Sequence, residues 1–293
     1  MTELEHKEQW SIDFLRTIEA QTSNLYLAYS GGKDSEVLLH LARKAKISFT
    51  PYYINTTIDP PHTIKHVKRD PSIVIIYPPR SFYTLIEHRS LPSTFRRFCC
   101  THIKERYVAD NIITGIRRLE SDRRAQKYKE PIICFTHKSG KKGQNYMPIL
   151  YWTNEDMIQY IHEEQIQCHP LYYDDQGKFH CERRLGCLGY PLPADRSIND
   201  FKRYPRMIHT WCRAAAVYRN TRKTLGTSIT NYRDEYEYMY HNLFHHRIAQ
   251  LQSAQQQEPR DFARQRLQTI FQIELPPPQS ALEDLMHIHN FIK

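Results

Sequence analysis

The chain has 293 residues, a formal net charge of +9 and 40% hydrophobic residues. This length suffices for one large domain or for a domain with an appendage, and the composition is that of a globular protein. No apolar stretch approaches the roughly 20 residues that a membrane helix needs, and the N-terminus lacks the layout of a signal peptide, so we expect a cytoplasmic protein without a membrane partner.

Charge and cysteine content narrow the class of partner. The positive balance favours a polyanion, either a nucleotide or a nucleic acid. Because the basic residues are spread along the chain, charge alone does not choose between the two. Seven cysteines without an export signal favour reduced thiols, metal ligands or buried small residues over a disulfide framework.

The first half of the chain alternates strand and helix patterns. Trp10, Phe14 and Ile18 have helical spacing within a predicted leading helix at 4–21. Hydrophobic periodicity then predicts, in chain order, a strand at 25–29, a helix at 35–44, a strand at 48–55, a helix at 62–69, a short buried strand at 73–77, a helix from 82, a strand at 111–115, and a hairpin whose arms 132–135 and 146–149 bracket loop 137–143.

A further helix is predicted behind Thr153, with this threonine as N-cap and Asp156 at the third helical position. Strands that alternate with helices predict an α/β fold, a parallel twisted sheet with helices on both faces. Ligands of such sheets bind beyond the carboxyl ends of the strands.

Beyond about residue 200 the sequence becomes helical and rich in aromatic residues, and three prolines at 276–278 precede a predicted terminal helix at 281–291. The aromatic extension is a candidate interface with a protein partner. The predicted organisation is a leading helix at 1–22, a nucleotide-binding α/β domain at 23–195 and a helical C-terminal extension at 196–293.

A glycine pair lies at the junction of the first strand and the following helix, in the stretch Ser30-Gly31-Gly32-Lys33-Asp34-Ser35. Two glycines permit positive φ and close approach of an anion, while the helix N-terminus and the lysine ammonium supply positive potential. We predict that these six residues hold phosphate or sulfate. Their spacing differs from that of the common mononucleotide loop.

Charged residues follow other strand ends. Guanidinium groups grip phosphate or sulfate bidentately, and the candidates after strand 111–115 are Arg117, Arg118, Arg123 and Arg124. Glu120 positions an arginine or binds a metal, and Asp34 and Asp59 are candidate ligands of Mg²⁺. Two alternatives stay open: a charged helix face with Glu–Arg pairs, and a turn-forming role for Asp59.

Several further blocks occur in a fixed order. They are Thr56 to Pro61, Phe98-Cys99-Cys100 with Lys104, Gly115-Ile116-Arg117 with Glu120-Ser121 and Arg123, Pro148-Ile149-Leu150 before Trp152, and Arg184-Leu185-Gly186-Cys187. The hexapeptide at 30–35 resembles the pyrophosphate loop of the ATP pyrophosphatase superfamily. Over residues 20–220 the ordered set resembles the phosphoadenosine phosphosulfate (PAPS) reductase family, in particular its phage and bacterial branch.

The resemblance implies an adenine nucleotide α-hydrolase fold that binds ATP or a related adenine nucleotide together with Mg²⁺. It adds Thr57, Asp59 and Gly115 to the predicted nucleotide site. The expected reaction is adenylyl transfer with release of pyrophosphate, coupled to sulfur transfer. Catalysis would rest on Lys33, Asp34 and Arg117.

The resemblance also raises an iron–sulfur cluster or zinc, with Cys100, Cys168, Cys181 and Cys187 as candidate ligands. In that branch the region ends in Gly-Cys-x-x-Cys-Pro, whereas Tyr190 stands here at the second cysteine position. A phenol is a poor substitute for a thiolate ligand, so structural cysteines are the alternative.

Two departures leave other functions open. PAPS reductases use a C-terminal Glu-Cys-Gly-Leu-His segment, but the last cysteine here is Cys212, which disfavours thioredoxin-dependent PAPS reduction. One alternative is a nucleotide-binding accessory subunit, with reduced or lost catalysis, in a nucleic-acid-modification or phage-defence assembly. Another is a nucleic-acid thiolation enzyme whose basic extension holds the polymer.

Overall fold

A six-stranded sheet forms the centre of the first of two compact units in the computed structural model of this chain. The structure describes residues 1–93, 96–105, 109–136, 140, 142–189, 194–225, 232–244 and 255–279. The first unit comprises Met1–Pro78 and Ile103–Gly186, and the second comprises Pro79–His102 and Cys187–Lys293.

The sheet is mostly parallel, which confirms the predicted α/β class. Its strands are β1 (Tyr26–Ala28), β2 (Thr50–Ile54), β3 (Val74–Ile76), β4 (Asn111–Ile113), β5 (Ile132–Thr136) and β6 (Lys142–Tyr146), in the spatial order β3-β2-β1-β4-β6-β5. All neighbours pair in parallel except β5 and β6. Tyr26 lies beside Thr50 of β2 on one side and Ile112 of β4 on the other, so β1 is central.

Two strand predictions need correction. The second arm of the hairpin is β6 at 142–146 instead of 146–149. The polar stretch 142–145 pairs with β5, and from Gln144 onward β6 pairs with β4 as well. The predicted buried strand at 73–77 is the edge strand β3. Val74 is 50% exposed there because β2 is its only strand neighbour in the sheet as described.

Helices surround these strands, and most begin near their predicted positions. The described α-helices are α1 (Glu3–Gln21), α2 (Lys33–Lys44), α3 (Thr63–Val67), α4 (Phe82–Arg89), α5 (Asp122–Lys127), α6 (Asn154–Glu163), α7 (Ala194–Arg203), α8 (Arg206–Thr224), α9 (Glu235–Leu243) and α10 (Phe262–Phe271). Thr153 and Asp156 form the predicted capping box of α6. Helix α2 begins two residues earlier than predicted, with Gly32 as its N-cap.

The core of the first unit joins α1, α2 and α6 to the sheet. Leu15, Leu27, Leu38 and Ile113 are fully buried in one apolar cluster. Trp152 also belongs to it and donates its indole N–H to Ser11 Oγ at 3.1 Å, so that its polar atom is satisfied. The central position of β1 in this core gives the loop after it a rigid base.

The second unit is helical in its described part. Helix α4 packs on α8, α8 on α9, and α9 on α10. The hydroxyl groups of Ser90 and Tyr238 are 2.5 Å apart. Residues 79–102 thus group with the C-terminal helices, although the predicted division lay at residue 195. The predicted helix at 281–291 lies outside the described residues. Among the helices described, none combines the length and apolar character that crossing a membrane requires.

Candidate nucleotide site

The order of the strands reverses between β1 and β4. From β1 the chain adds β2 and β3 on one side, whereas β4 and β6 lie on the other. Loops at such a reversal diverge and leave a crevice at the carboxyl ends of the strands. Residues 30–35 follow β1 and Gly115 follows β4, so both segments flank this crevice.

The loop at 30–35 is held by its own hydroxyl groups. Ser35 Oγ accepts from the Ser30 N–H at 3.1 Å and donates to the Gly32 carbonyl at 2.8 Å. Ser30 Oγ accepts from the Gly32 N–H at 3.3 Å. Gly31 has a φ of +74°, a backbone conformation that residues other than glycine rarely adopt. The sequence therefore produces a preformed turn whose first helical N–H groups lack intrahelical partners.

Gly115 permits close contact between the two flanking segments. A Cβ atom at this position would lie 2.9 Å from the backbone oxygen of Asp34 and 3.0 Å from its carbonyl carbon. Backbone atoms cannot move aside as a flexible side chain can. The absence of a side chain after β4 is thus what brings this strand end against the start of α2.

Asp34 connects two buried cations. Its Oδ2 atom lies 3.1 Å from Lys33 Nζ, and its Oδ1 atom accepts from Arg117 Nε at 2.6 Å. Burial alone would raise the pKa of Asp34, but the two cations outweigh it and lower this pKa below its ordinary value. The carboxylate therefore stays ionised at neutral pH.

Arg117 faces the protein interior. Its side chain is 1% exposed, and beyond Asp34 it donates to the Trp152 carbonyl at 3.2 Å and to Asn154 Oδ1 at 3.0 Å. We predicted that this guanidinium grips an anion. In the structure three of its N–H groups donate to protein acceptors, one of which is Asp34, and its contact with an anion stays a prediction.

A cavity of about 210 Å³ opens where the loop, the end of β4 and residues 172–185 meet. It is lined by Ala28, Ser30, Gly32, Lys33, Asp34, Ser35, Gly115, Ile116, Glu120, Arg124, Tyr172, Arg184 and Leu185. Pockets that enclose a drug-sized ligand measure about 300–1,000 Å³, so this one suits a di- or triphosphate group better than a whole nucleotide.

Among the polar lining residues, Tyr172 and Arg184 were not predicted for this site. The ring of Tyr172 lies 5.6 Å from Lys33 Nζ, and its hydroxyl accepts from the Leu185 N–H at 3.3 Å. Burial raises the pKa of Tyr172 to about 12. Arg184 stands in one of the recurring sequence blocks, which was a usable signal, whereas nothing in the local sequence singled out Tyr172.

Comparison with models of known protein families gives a match that covers the cavity. Residues 24–193 match the family model described as phosphoadenosine phosphosulfate reductase domain. The chain belongs to this family. The matched stretch includes the loop at 30–35, Gly115 and every other residue that lines the cavity.

The relatives of this PAPS reductase family member have different names. Proteins called sulfate adenylyltransferase subunit 2 from Shewanella amazonensis and Psychromonas ingrahamii are each 30% identical, over 60% and 59% of this chain and 68% of their own length. An uncharacterised protein of Methanocaldococcus jannaschii is 28% identical over 71% of this chain and 45% of its own. A solved PAPS reductase from Candida auris matches with a TM-score of 0.44 and 19% identity, over 64% of this chain and 96% of the other.

Several predicted site residues of this family member lie outside the cavity lining. Arg118 stacks over the Tyr151 ring at 5.8 Å, and Arg123 is exposed. Asp59 accepts from the Thr56 N–H at 2.9 Å, as expected of a residue that shapes a turn. Thr57 has a φ of +65°, which is strained for a β-branched residue. A nucleotide-binding role for these residues and for Gly31 stays a prediction.

The four candidate metal ligands divide between the two units. Cys168 and Cys181 are buried in the first, where burial raises the pKa of both thiols, and Cys100 and Cys187 belong to the second. Within the part of the chain that the structure describes, no three His, Cys, Asp or Glu residues cluster as a metal site would require. Tyr190 lies outside that part. The cluster or zinc site stays a prediction.

Proposed function

We propose that this protein binds ATP or a related adenine nucleotide with its phosphates in the cavity, and that it transfers the adenylyl group to an acceptor with release of pyrophosphate. The observation that carries this proposal is the ion pair of the buried Lys33 with the partly buried Asp34, which Arg117 holds beside the N-terminus of α2. Three cations line the cavity, Lys33, Arg124 and Arg184, and Arg117 contacts Asp34 from outside the lining. The carboxylates in the lining are those of Asp34 and Glu120, so positive charge is in excess.

Positioning accounts for most of the catalysis in this proposal. Adenylyl transfer needs an acceptor aligned with the α-phosphorus and stabilisation of the charge that develops on the leaving pyrophosphate. The Lys33 side chain is only 5% exposed and is fixed by Asp34, so its ammonium group points to one place with little loss of entropy on binding. The N-terminus of α2 adds its positive dipole end from a backbone that is already ordered.

Mg²⁺ fits the same residues. Its ligands in nucleotide sites are one or two carboxylates together with substrate phosphates, and Asp34 and Glu120 both line the cavity. The depressed pKa of Asp34 keeps one of these carboxylates charged. When bound, the ion would neutralise charge on the phosphates, and Asp34 and Glu120 are the residues that would hold it.

The nucleoside would lie outside the cavity, because about 210 Å³ leaves no room for it beside the phosphates. Strand β2 pairs with β1, so the loop after β2 begins next to the loop at 30–35. Strain such as that at Thr57 concentrates at functional sites. We assign Thr57 and Asp59 to the nucleoside side of the site on this ground.

The acceptor and the partner follow from the relatives. Two of them are named as a subunit of sulfate adenylyltransferase, which supports an acceptor from sulfur metabolism and assembly with a second protein. We therefore propose a sulfur oxyanion as acceptor and a protein partner for the complete activity. A nucleic-acid partner stays a prediction from the charge balance of the sequence alone.

The test is isothermal titration with a non-hydrolysable ATP analogue, alongside a pyrophosphate-release assay with ATP and sulfate. We expect Lys33→Ala to lower both affinity and turnover, whereas Lys129→Ala, which removes an exposed lysine, should change neither. Normal binding and turnover in Lys33→Ala would refute the proposal. Tight binding by the wild type without pyrophosphate release would indicate the accessory role instead.

A further inference from the structure

Glu120 lies between two arginines at the cavity. Its Oε2 atom forms an ion pair with Arg124 Nη1, and its Oε1 atom is 3.5 Å from Arg184 Nη2. The Glu120 side chain is 13% exposed, compared with 32% for Arg124 and 55% for Arg184. All three residues line the cavity. One carboxylate thus bridges two guanidinium groups with separate oxygens.

The two arginines need an anion between them. Both guanidinium groups contact the same carboxylate, so they lie close enough to repel each other. The pKa of Arg124 is accordingly lowered, first by burial and then by Arg184. A carboxylate relieves this repulsion, and so would the oxygens of a phosphate or another oxyanion, which guanidinium groups bind equally well. Glu120 therefore does in the free protein what part of a ligand would do in the complex.

We propose that Glu120 is an internal anion, occupying a subsite formed by Arg124 and Arg184 until an anionic group of the ligand displaces it. This inference rests on the proposed function, since it concerns the same cavity. The longer contact belongs to Arg184, the more exposed of the two arginines, so this side of the bridge opens more readily. Binding strength then reflects a competition between the Glu120 carboxylate and the ligand.

Whether removing the charge of Glu120 strengthens or weakens anion binding distinguishes this role from others. If Glu120 competes, Glu120→Gln should bind an anion more tightly, because the arginines no longer have a partner to give up. If Glu120 merely holds the arginines in position, the same change should weaken binding. If Glu120 is a Mg²⁺ ligand only, binding of the metal-free anion should not depend on it.

The experiment is isothermal titration of the full-length protein with inorganic pyrophosphate, without Mg²⁺, at low salt. We expect Glu120→Gln and Glu120→Ala to bind about tenfold more tightly than the wild type, the size expected for one partly buried charge at close range. Glu182→Gln is the matched control, because Glu182 is 72% exposed, bonded to His180 and absent from the cavity lining. It should bind within twofold of the wild type.

Arg184→Gln provides a second measurement. The tightening caused by Glu120→Gln should shrink to less than threefold when Arg184→Gln is present, because the subsite then lacks one of its two cations. Unchanged or weaker binding by both Glu120 variants would overturn the inference, as would an equal gain in Glu182→Gln. Thermal melting of each variant identifies any loss of affinity that arises from misfolding.

Failure of this inference is distinguishable from failure of the proposed function. Should Lys33→Ala lose pyrophosphate binding while Glu120→Gln gains none, only the role of Glu120 is wrong. Should neither the wild type nor Glu120→Gln bind pyrophosphate, both ideas fall. A third outcome is that Glu120→Gln binds pyrophosphate more tightly and that adding Lys33→Ala does not change this. The arginine subsite would then stand, but the loop at 30–35 would not be part of the site.

Discussion

Replacing the buried Arg117 tests the central ion pair of the site. The Arg117 side chain is 1% exposed and donates to Asp34, to the Trp152 carbonyl and to Asn154. Arg117→Met keeps much of the volume but leaves the carboxylate of Asp34 with Lys33 alone. It also leaves the buried Trp152 carbonyl and the exposed Asn154 side chain without this donor.

We expect this change to lower the free energy of unfolding by about 3–5 kcal/mol, the usual effect of removing one partner of a buried ion pair. Asp34→Asn should destabilise by a similar amount, since it leaves the Arg117 charge uncompensated. The double variant should lose clearly less than the sum, because both single changes break the same contact.

Urea unfolding followed by circular dichroism measures these differences. Arg123→Met is the matched control, since Arg123 is exposed and six residues away, and it should change stability by no more than about 0.5 kcal/mol. An Arg117→Met protein within about 1 kcal/mol of the wild type, or strictly additive effects in the double variant, would refute the assignment of Arg117 as the residue that holds Asp34.

Further predictions concern pH, packing, capping and charge. Because folding lowers the pKa of Asp34 below 3.8, the ionised carboxylate stabilises the protein fully above pH 3.8, and this stabilisation is lost as the pH falls through the folded pKa. The free energy of unfolding, measured at several acidic pH values, should therefore fall more steeply in the wild type than in Asp34→Asn. Gly115→Ala should weaken binding of an ATP analogue at least tenfold, as its Cβ would meet the Asp34 backbone at 2.9 Å; unaltered affinity would contradict the close contact. Thr153→Ala should lower the free energy of unfolding by about 1 kcal/mol through loss of the α6 N-cap, and Thr153→Ser should not. Arg184→Met, at a half-exposed residue, should leave the melting temperature unchanged while weakening pyrophosphate binding about tenfold, and a purely structural role would give the reverse.

The position of the glycine loop at 30–35 could be predicted from sequence because its determinants are local. An apolar strand, two glycines and an amphipathic helix occur within about 20 residues, and each acts through backbone geometry or periodicity. The alternation of strands and helices predicted the α/β class for the same reason. The capping box of Thr153 and Asp156 involves residues three apart and was likewise predictable.

The arginines show where local information ends. Arg117, Arg118, Arg123 and Arg124 lie within eight residues, and their sequence assigns all four the same charge and reach. In the structure Arg117 is buried behind Asp34, Arg118 stacks on Tyr151, Arg123 is exposed, and only Arg124 lines the cavity. The path of the chain after β4 decides these directions, and that path depends on contacts with distant residues.

The sequence by itself determined that the chain alternates strands with helices and carries a glycine turn between its first strand and the next helix, because periodicity and glycine geometry are properties of neighbouring residues. Only the tertiary structure decided that β4 lies beside β1, that Gly115 touches the backbone of Asp34, and that Arg184 and Tyr172 complete the cavity. These facts depend on which distant segments pack together. A local pattern contains no information about that choice, since it follows from burying the apolar faces of the whole unit at once.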